Sequence, residues 1–348
     1  MPVTEVSLEP TVGVSEAPGL SPHRSHGVLW FLARRLAAAL VTLFVVSILV
    51  FAGTEILPGD AAEAILGQSA TPDAVAQIRA QLNLDRPATT RYLDWLSHIV
   101  RGDLGISATQ TFASGAKSPV WPLISGPLVN SLILALFTVI LLIPIGLGLG
   151  VYSATRAGRP SDHAISVSSL AAISLPEFVV GPILILIFAV WLKQLPGVSL
   201  IPSGTSVFSN PKILVLPVAT LLAVSLAWTI RMVRAGMLDV LGSEFIVMAR
   251  LNGLPERKVI YRYGLRNALA PTIQVIALNI QWLVGGIIVT ETVFGYPGIG
   301  QTLVEVVNSR DIPFVQAVCM ILAAFYLLVN IVADLLVVLL VPKLRTAL

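Results

Sequence analysis

The chain has 348 residues, of which 55% are hydrophobic and 12% are charged, with a net charge of +3 and a mean hydropathy of +0.86. An average soluble domain carries about 25% charged residues, so this composition excludes an ordinary soluble domain. The single cysteine, Cys319, excludes an internal disulfide and a zinc site built from cysteines, and we expect no nucleic-acid partner.

Residues 1–30 precede the first long apolar run. Most of this segment is polar, proline-rich and weakly acidic, and it lacks the basic start of a signal peptide. We predict a disordered cytoplasmic tail, followed by a first apolar run that stays in the membrane as an uncleaved anchor.

Six apolar runs are long enough to cross a bilayer, for which a helix needs roughly 20 residues. They cover residues 32–56, 128–154, 164–192, 213–230, 268–290 and 314–341. The chain is therefore predicted to be an all-α polytopic membrane protein with six transmembrane helices, in which residues 128–341 hold the last five.

Basic residues near the span ends predict the orientation. Arg34 and Arg35 lie at the start of the first span, and seven basic residues stand against three acidic ones in residues 231–266. With six spans, these regions and the end of the chain, residues 342–348, fall on one side. We therefore expect both termini to be cytoplasmic.

Residues 57–127 form an unusually long segment on the opposite side. Thr71 and Pro72 have the pattern of a helix start, and apolar residues then recur at helical spacing up to Leu82. A second helical pattern follows Pro87. A small external helical subdomain on the membrane surface is therefore favoured over a spacer loop.

The patterns of common catalytic sites are absent. No lysine follows a glycine, so the chain lacks the Gly-Lys pair of a phosphate-binding P-loop, and neither a zinc-protease pattern nor a nucleophile elbow occurs. The four histidines are scattered. We expect no catalytic residue and no metal site, so any source of energy for transport lies in a partner.

Ionisable residues within the predicted spans are few, and in a membrane such residues mark function by default. Glu177 follows Pro176 in the third span. Two positions for this side chain are equally supported, one on a translocation path and one in a helix break near the membrane interface. Asn330 and Asp334 share one face near the cytoplasmic end of the sixth span, which favours a role in helix packing.

The segment 243–266 is the most charged internal part of the chain. Ser243 has the identity of a helix cap, Glu244 suits the first turn, and Gly253 can end the helix in a left-handed conformation. Apolar residues between them offer a contact surface. From these residues alone, a helix that docks into a partner's groove and an ordinary basic cytoplasmic loop are equally supported.

The same segment resembles the EAA motif of ABC importer permeases, at Glu244, Ala249, Gly253 and the pair Ala270-Pro271. Residues 247–253 are less basic than is usual in that family. Other segments, in order, resemble the dipeptide, oligopeptide and nickel permeases: ARRL (33–36), ILPGD (56–60), LNLDRP (82–87), RGDLGIS (101–107), SLPEFVVG (174–181), RNALAP (266–271), ETVFGYPGIGQTLVEVVNSRDIP (291–313) and NIVADLLVVLLVPKLR (330–345).

This resemblance implies the type I permease fold of an ABC importer in the bacterial inner membrane. It implies a homologous permease subunit, two P-loop ATPase subunits that hold ATP and Mg²⁺, and an extracytoplasmic substrate-binding protein as partners, with lipid around the spans. The residues that it implies for coupling to the ATPases are Glu244, Phe245, Met248, Ala249, Arg250, Asn252, Gly253 and Leu254.

The resemblance also implies an outer region that meets the binding protein, for which Asp60, Asp103, Tyr296 and Pro297 are the candidates, with Glu177 a candidate for the path. Peptides are the expected solute. A nickel complex, glutathione, an opine or a sugar is the alternative solute class. A self-contained channel or secondary carrier explains the spans but leaves the docking-like helix without a role.

Overall fold

The structure is a computed structural model that describes residues 26–56, 71–81, 86–201 and 207–340. The helices within these ranges are α1 (His26–Ile56), α2 (Pro72–Gln81), α3 (Ala88–Val100), α4 (Ala108–Ser114), α5 (Val120–Thr155), α6 (Pro160–Ile173), α7 (Glu177–Leu184, continued by a π-helix over Ile185–Trp191), α8 (Lys212–Leu241), α9 (Glu244–Leu251), α10 (Glu256–Lys258, continued by a π-helix over Val259–Leu265), α11 (Arg266–Phe294), α12 (Ile299–Asn308) and α13 (Ile312–Leu340). This part of the chain contains no β-strand.

Five of these helices (α1, α5, α8, α11 and α13) are long and apolar enough to cross a membrane, and the number becomes six if α6 and α7 count as one span. The predicted third span is not one straight helix, because its two halves are bent by 110°. The break lies at residues 174–176. Pro176 has no amide hydrogen to donate and disfavours helical geometry at Leu175, so α6 ends before it.

Helix α8 is the centre of the bundle and packs against α5, α6, α7 and α11. Two glycines of α5 allow the closest of these approaches. A Cβ added to Gly146 would lie 2.6 Å from Cγ2 of Thr229, and one added to Gly150 would lie 2.5 Å from Cβ of Val233. Small residues four apart let two helix backbones approach closely, which gains dispersion contacts where lipid supplies little hydrophobic drive.

Helices α1 and α13 pack together at the side of the bundle. Near one end, Arg35 pairs with Asp334 at 3.1 Å, which agrees with the packing role expected for Asp334. Near the other end, Nε2 of Gln316 donates to Oγ1 of Thr54 at 2.7 Å. These two contacts fix the register of the first span against the last.

The helices predicted for residues 57–127 begin where the sequence predicts, at Pro72 and after Pro87. Helix α3 packs on α1 through an aromatic cluster of Phe51, Tyr92 and Trp95, with ring centroids 5.4 to 6.1 Å apart. The segment ends earlier than the predicted residue 127, because α5 begins at Val120. The predicted tail lies outside the described residues up to residue 25, and the predicted carboxyl-terminal segment 342–348 lies outside them entirely.

Candidate functional site

Helix α9 follows the central helix α8 after a two-residue turn, and it begins at the residues predicted for it. Ser243 stands at the cap position, but its hydroxyl donates to the Val240 carbonyl at 2.5 Å and caps no amide of α9. The predicted side-chain cap is therefore wrong. Glu244 lies in the first turn, where its charge complements the helix dipole.

The two faces of α9 differ sharply in exposure. Ile246 and Ala249 are buried and pack against Val259, which follows α10. The exposed apolar residues of the helix are Phe245, Val247, Met248 and Leu251, the last 75% exposed. Ala249 therefore holds α9 to its own chain, and four large apolar side chains remain exposed on its outer side.

A left-handed residue ends the helix as predicted. Gly253 has a φ of 72°, and a Cβ added there would meet no atom within 4 Å. Asn252 is exposed at the end of α9, while Leu254 turns back and packs against the cluster of Ile246 and Ala249. The turn thereby fixes the direction in which the apolar face of α9 points.

An ion pair joins the two ends of this turn. Arg250 donates two hydrogen bonds to Glu256, Nη2 to Oε1 at 2.7 Å and Nε to Oε2 at 3.2 Å. The hydrogen bond from Arg250 lowers the pKa of Glu256, and the same bond raises the pKa of Arg250. Both groups are therefore charged at neutral pH beside the exposed apolar face.

The candidates for the outer region fall in different environments. Asp103 is exposed, and its Oδ1 accepts a hydrogen bond from the Gly105 amide at 2.9 Å. Asp60 lies outside the described residues. Tyr296 is fully buried and Pro297 is half-buried, so the Tyr296 side chain presents no surface to a partner.

Tyr296 and Pro297 instead tie their loop to the start of the second span. The Tyr296 hydroxyl donates to the Asn130 carbonyl at 2.9 Å, and Nδ2 of Asn130 donates to the Pro297 carbonyl at 2.8 Å. Burial, and then the charge of Glu291, raises the pKa of Tyr296, so the phenol remains a donor.

Glu291 is a buried carboxylate that the sequence interpretation missed as a functional residue. It accepts hydrogen bonds from the Ser131 hydroxyl and from the amides of Gly300 and Gln301, at 2.7 and 3.4 Å for the amides. It thereby caps the start of α12 from the end of α11. The sequence did contain a signal for this cap, namely a glutamate at the end of a predicted span that is followed by a glycine-rich turn.

Glu177 lies at the start of α7, directly after the break in the third span. It is half-buried, and a Cβ added to Gly286 of α11 would lie 3.0 Å from its Oε1. It makes no hydrogen bond or ion pair with any other residue that the structure describes. Of the two positions left open by the sequence, the structure shows the helix break, and a place for Glu177 on the path stays a prediction.

An ion pair with a buried carboxylate, also missed from the sequence, joins α6 to α8. Asp162 of α6 is paired with Arg234 of α8 by two hydrogen bonds of 2.7 and 2.8 Å. Its carboxylate also accepts from the Ser153 hydroxyl and the Gly158 amide. The pair fixes the start of α6 to the helix that leads into α9.

The chain matches two family models and several known proteins. Residues 146–346 match the family model of binding-protein-dependent transport system inner membrane components, and residues 28–116 match the model of its amino-terminal part. A probable peptide ABC transporter permease of Sinorhizobium fredii is 33% identical over 317 residues, which cover 90% of this chain and 99% of that one. A glutathione transport system permease of Escherichia coli K12 is 33% identical over 318 residues, which cover 91% and 99%.

Proposed function

The chain belongs to the inner-membrane permeases of ABC importers, and from this premise we propose that it is one of two homologous permease subunits of a peptide importer. Two P-loop ATPase subunits bind on the cytoplasmic side, and an extracytoplasmic binding protein delivers the solute from outside. The permease itself catalyses no reaction, and ATP and Mg²⁺ belong to the ATPases. The membrane topology is six spans, with α6 and α7 forming the third and both termini cytoplasmic.

The exposed apolar face of α9 carries this proposal. Four large apolar side chains project from a helix that Ile246 and Ala249 fix to the chain. In the proposed complex this face docks into a groove of an ATPase subunit. The contact residues are Glu244, Phe245, Met248, Arg250, Asn252 and Gly253, whereas Ala249 and Leu254 hold the helix in place. Closure of the ATPase pair then moves α9, and α8 and the residues after α10 pass the movement to the spans.

The outer region meets the binding protein. The exposed loop with Asp103 is a contact surface, and Asp60 is a second candidate. Tyr296 and Pro297 serve the outer gate by positioning α12 against the start of α5, which their bonds to Asn130 support. Glu177, next to the break in the third span, lies on the path itself.

Peptides are the proposed solute, because relatives of equal identity are named for peptide and for glutathione transport, and glutathione is itself a peptide. Recognition of a nickel complex, an opine or a sugar would need groups other than those named here. A self-contained carrier is the rival function, and it leaves the apolar face of α9 facing water without a purpose.

Purification of the tagged chain from its native membrane in a mild detergent tests the assembly. We expect recovery of a second permease and P-loop ATPases in one complex, identified by mass spectrometry. Recovery of the chain alone as a stable oligomer in several detergents would favour the carrier. Vesicles that contain the whole complex and its binding protein then test the solute, by ATP-dependent uptake of labelled dipeptides, tripeptides and glutathione in parallel.

A further inference from the structure

The helical segment that joins α9 to α11 carries cationic side chains on one side. Four exposed basic residues form this side, which we call the basic face: Arg257, Lys258, Arg262 and Arg266. The last three follow one another at intervals of four, so they share a helix face. On the other side, Val259 is buried against α9 and Gly264 against α8. The basic face therefore points away from the bundle.

Within the described part of the chain, the cations of the basic face have no partner of opposite charge. Residues 257–267 contain no aspartate or glutamate, and the acidic residue just before them, Glu256, is already paired with Arg250. Other cations of the predicted cytoplasmic side do have a partner, as Arg35 has in Asp334. Four positive charges are thus left for an anion outside this chain.

The basic face runs directly into the fifth apolar helix. Arg266 is the first residue of α11, and the predicted apolar run begins at residue 268. At a rise of 1.5 Å per residue, Arg266 lies about 3 Å and Arg262 about 9 Å outside that run. The headgroup layer of a bilayer is about 5 to 8 Å thick on each side. Arg266 is therefore level with the lipid phosphates, Arg262 stands at the edge of their layer, and Lys258 lies about 6 Å farther out.

We infer that the basic face binds the headgroups of anionic phospholipids in the cytoplasmic leaflet. Guanidinium groups pair with phosphate through two parallel hydrogen bonds, and clusters of basic residues directly beside a span attract anionic lipid. The choice of the leaflet rests on the proposed membrane topology, whereas the binding of lipid does not. The bound lipid holds the segment between α9 and α11 at the membrane surface.

The chemistry of the basic face separates it from the exposed side of α9. Four large apolar side chains project from α9, whereas Tyr261 is the only large apolar residue exposed among residues 257–267. The first surface suits an apolar groove of a protein partner, and the second suits an anionic surface. Attraction to the headgroups falls off within a Debye length of about 8 to 10 Å. The pair nearest the span, Arg262 and Arg266, should therefore contribute more than the outer pair.

Fluorescence quenching by spin-labelled lipid tests the binding on the full chain without any partner. In a Cys319→Ser background, Asn267→Cys carries a fluorophore at an exposed position beside Arg266. The chain is placed in nanodiscs that contain phosphatidylglycerol or phosphatidylcholine at equal mole fraction, spin-labelled near the headgroup end of one acyl chain. We expect phosphatidylglycerol to quench at least about twice as strongly at low salt, since each cation near the surface favours anionic lipid. High salt should bring the two lipids together.

Two charge-matched pairs on the basic face locate the preference. Arg262→Gln with Arg266→Gln should bring the ratio of the two quenching signals close to one. Arg257→Gln with Lys258→Gln should keep most of the preference, because these residues lie farther from the phosphates. An equal or larger loss in the outer pair would refute the contact with the leaflet.

Two further pairs are the controls. Arg101→Gln with Lys117→Gln removes the same charge from exposed positions on the predicted outer side and should leave the ratio unchanged. Arg262→Lys with Arg266→Lys keeps the charge and should keep the preference, which separates lost charge from a folding defect. Loss of the preference in the lysine pair would contradict the inference, because charge would then not be its cause.

Three other results would overturn the inference. Equal quenching by the two lipids before any basic residue is replaced would show that the face does not select anionic lipid. A preference that survives in the glutamine pair at 262 and 266 would assign it to other cations. Quenching that disappears when the ATPases are bound would make the basic face part of a protein interface in the assembled transporter.

The side of the membrane is tested separately. A membrane-impermeant maleimide should label the cysteine of Asn267→Cys in inverted vesicles and leave it unlabelled in intact cells. Labelling in intact cells would refute the cytoplasmic leaflet and the proposed topology with it. The quenching ratio would still decide whether the basic face binds anionic lipid, so the two failures are distinguishable.

Discussion

The carboxylate of Asp311 accepts a hydrogen bond of 2.6 Å from the hydroxyl of Ser107, although 204 residues separate the two in the sequence. The same carboxylate accepts from the amides of Ala108 and Thr109 and from the Thr109 hydroxyl, and the Phe314 amide donates to it at 3.3 Å. One buried side chain therefore caps helix α4 and the last apolar helix α13 together. This contact makes α4 a fixed part of the bundle.

Asp311→Ala should destabilise the protein by at least about 3 kcal/mol, because the substitution leaves several buried donors without an acceptor. The midpoint of thermal unfolding in detergent and the rate of trypsin cleavage after Lys117 both report the change. Asp103→Ala is the control, since Asp103 is exposed and accepts one hydrogen bond from its own loop. If Asp311→Ala has the same unfolding midpoint and the same cleavage rate as Asp103→Ala, then α4 is held by other contacts.

The pair of Asp162 and Arg234 gives a second prediction. The Asp162 side chain is 2% exposed, so Arg234→Met leaves a buried carboxylate uncompensated and should cost about 3 to 5 kcal/mol. Adding Asp162→Asn removes that charge and should recover at least about 1 kcal/mol. Unfolding in a denaturing detergent gives the three free energies. Arg231→Met, an exposed position on the same helix, should stay within about 0.5 kcal/mol, and a strictly additive double variant would contradict the pairing.

The presence of most helices follows from the sequence. Hydropathy locates the apolar runs, the Thr71-Pro72 pattern locates helix α2, and Gly253 ends α9 where a residue without a Cβ is needed. These features depend on residues close to one another in the chain. The local sequence alone is therefore enough to predict them.

The partners of the polar residues could not be predicted in this way. Hydropathy reports only that residues 164–192 prefer an apolar environment, so it does not reveal the 110° bend around Pro176. Asp311 and Glu291 serve as helix caps only because the fold brings distant amides to them. The Ser243 hydroxyl donates to the nearby Val240 carbonyl and accepts no hydrogen bond from an amide of α9. Its identity and position together therefore predicted the wrong bond.

The ion pair of Arg250 and Glu256 should make a small, pH-dependent contribution to stability. Because the hydrogen bond from Arg250 lowers the pKa of Glu256 below its ordinary value of 4.5, the unfolded chain takes up a proton first as pH falls. The contribution is present in full above that ordinary value and is lost as pH falls through the lowered one. Both side chains are partly exposed, so it should not exceed about 0.5 kcal/mol.

Thermal unfolding of wild type and Glu256→Gln checks this expectation. The two midpoints should differ by no more than about 2 °C at pH 7 and should converge as pH falls through the lowered pKa of Glu256. High salt should also reduce the difference. A difference that persists at low pH would mean that the glutamine acts through packing and not through the lost charge.

Gly253 gives the most direct test of the role of α9. Its φ of 72° strains any side chain, but the space around it is empty, so substitution affects the backbone and the surface without causing a clash. Asn is tolerated in the left-handed region better than most residues, and Asp has nearly the same shape with a negative charge. We therefore expect both Gly253→Asn and Gly253→Asp to fold and insert into the membrane.

The two variants should differ only where a partner covers the turn. If α9 docks into an ATPase groove, the buried charge of Gly253→Asp should lower ATP-driven uptake by at least about tenfold, while Gly253→Asn retains most of it. Uptake and ATP hydrolysis are measured together in vesicles that contain the whole complex. Equal losses in both variants would indicate backbone strain, because the charge would then add nothing. Normal uptake by Gly253→Asp would refute the docking role, since a charge in a covered apolar contact cannot be without effect.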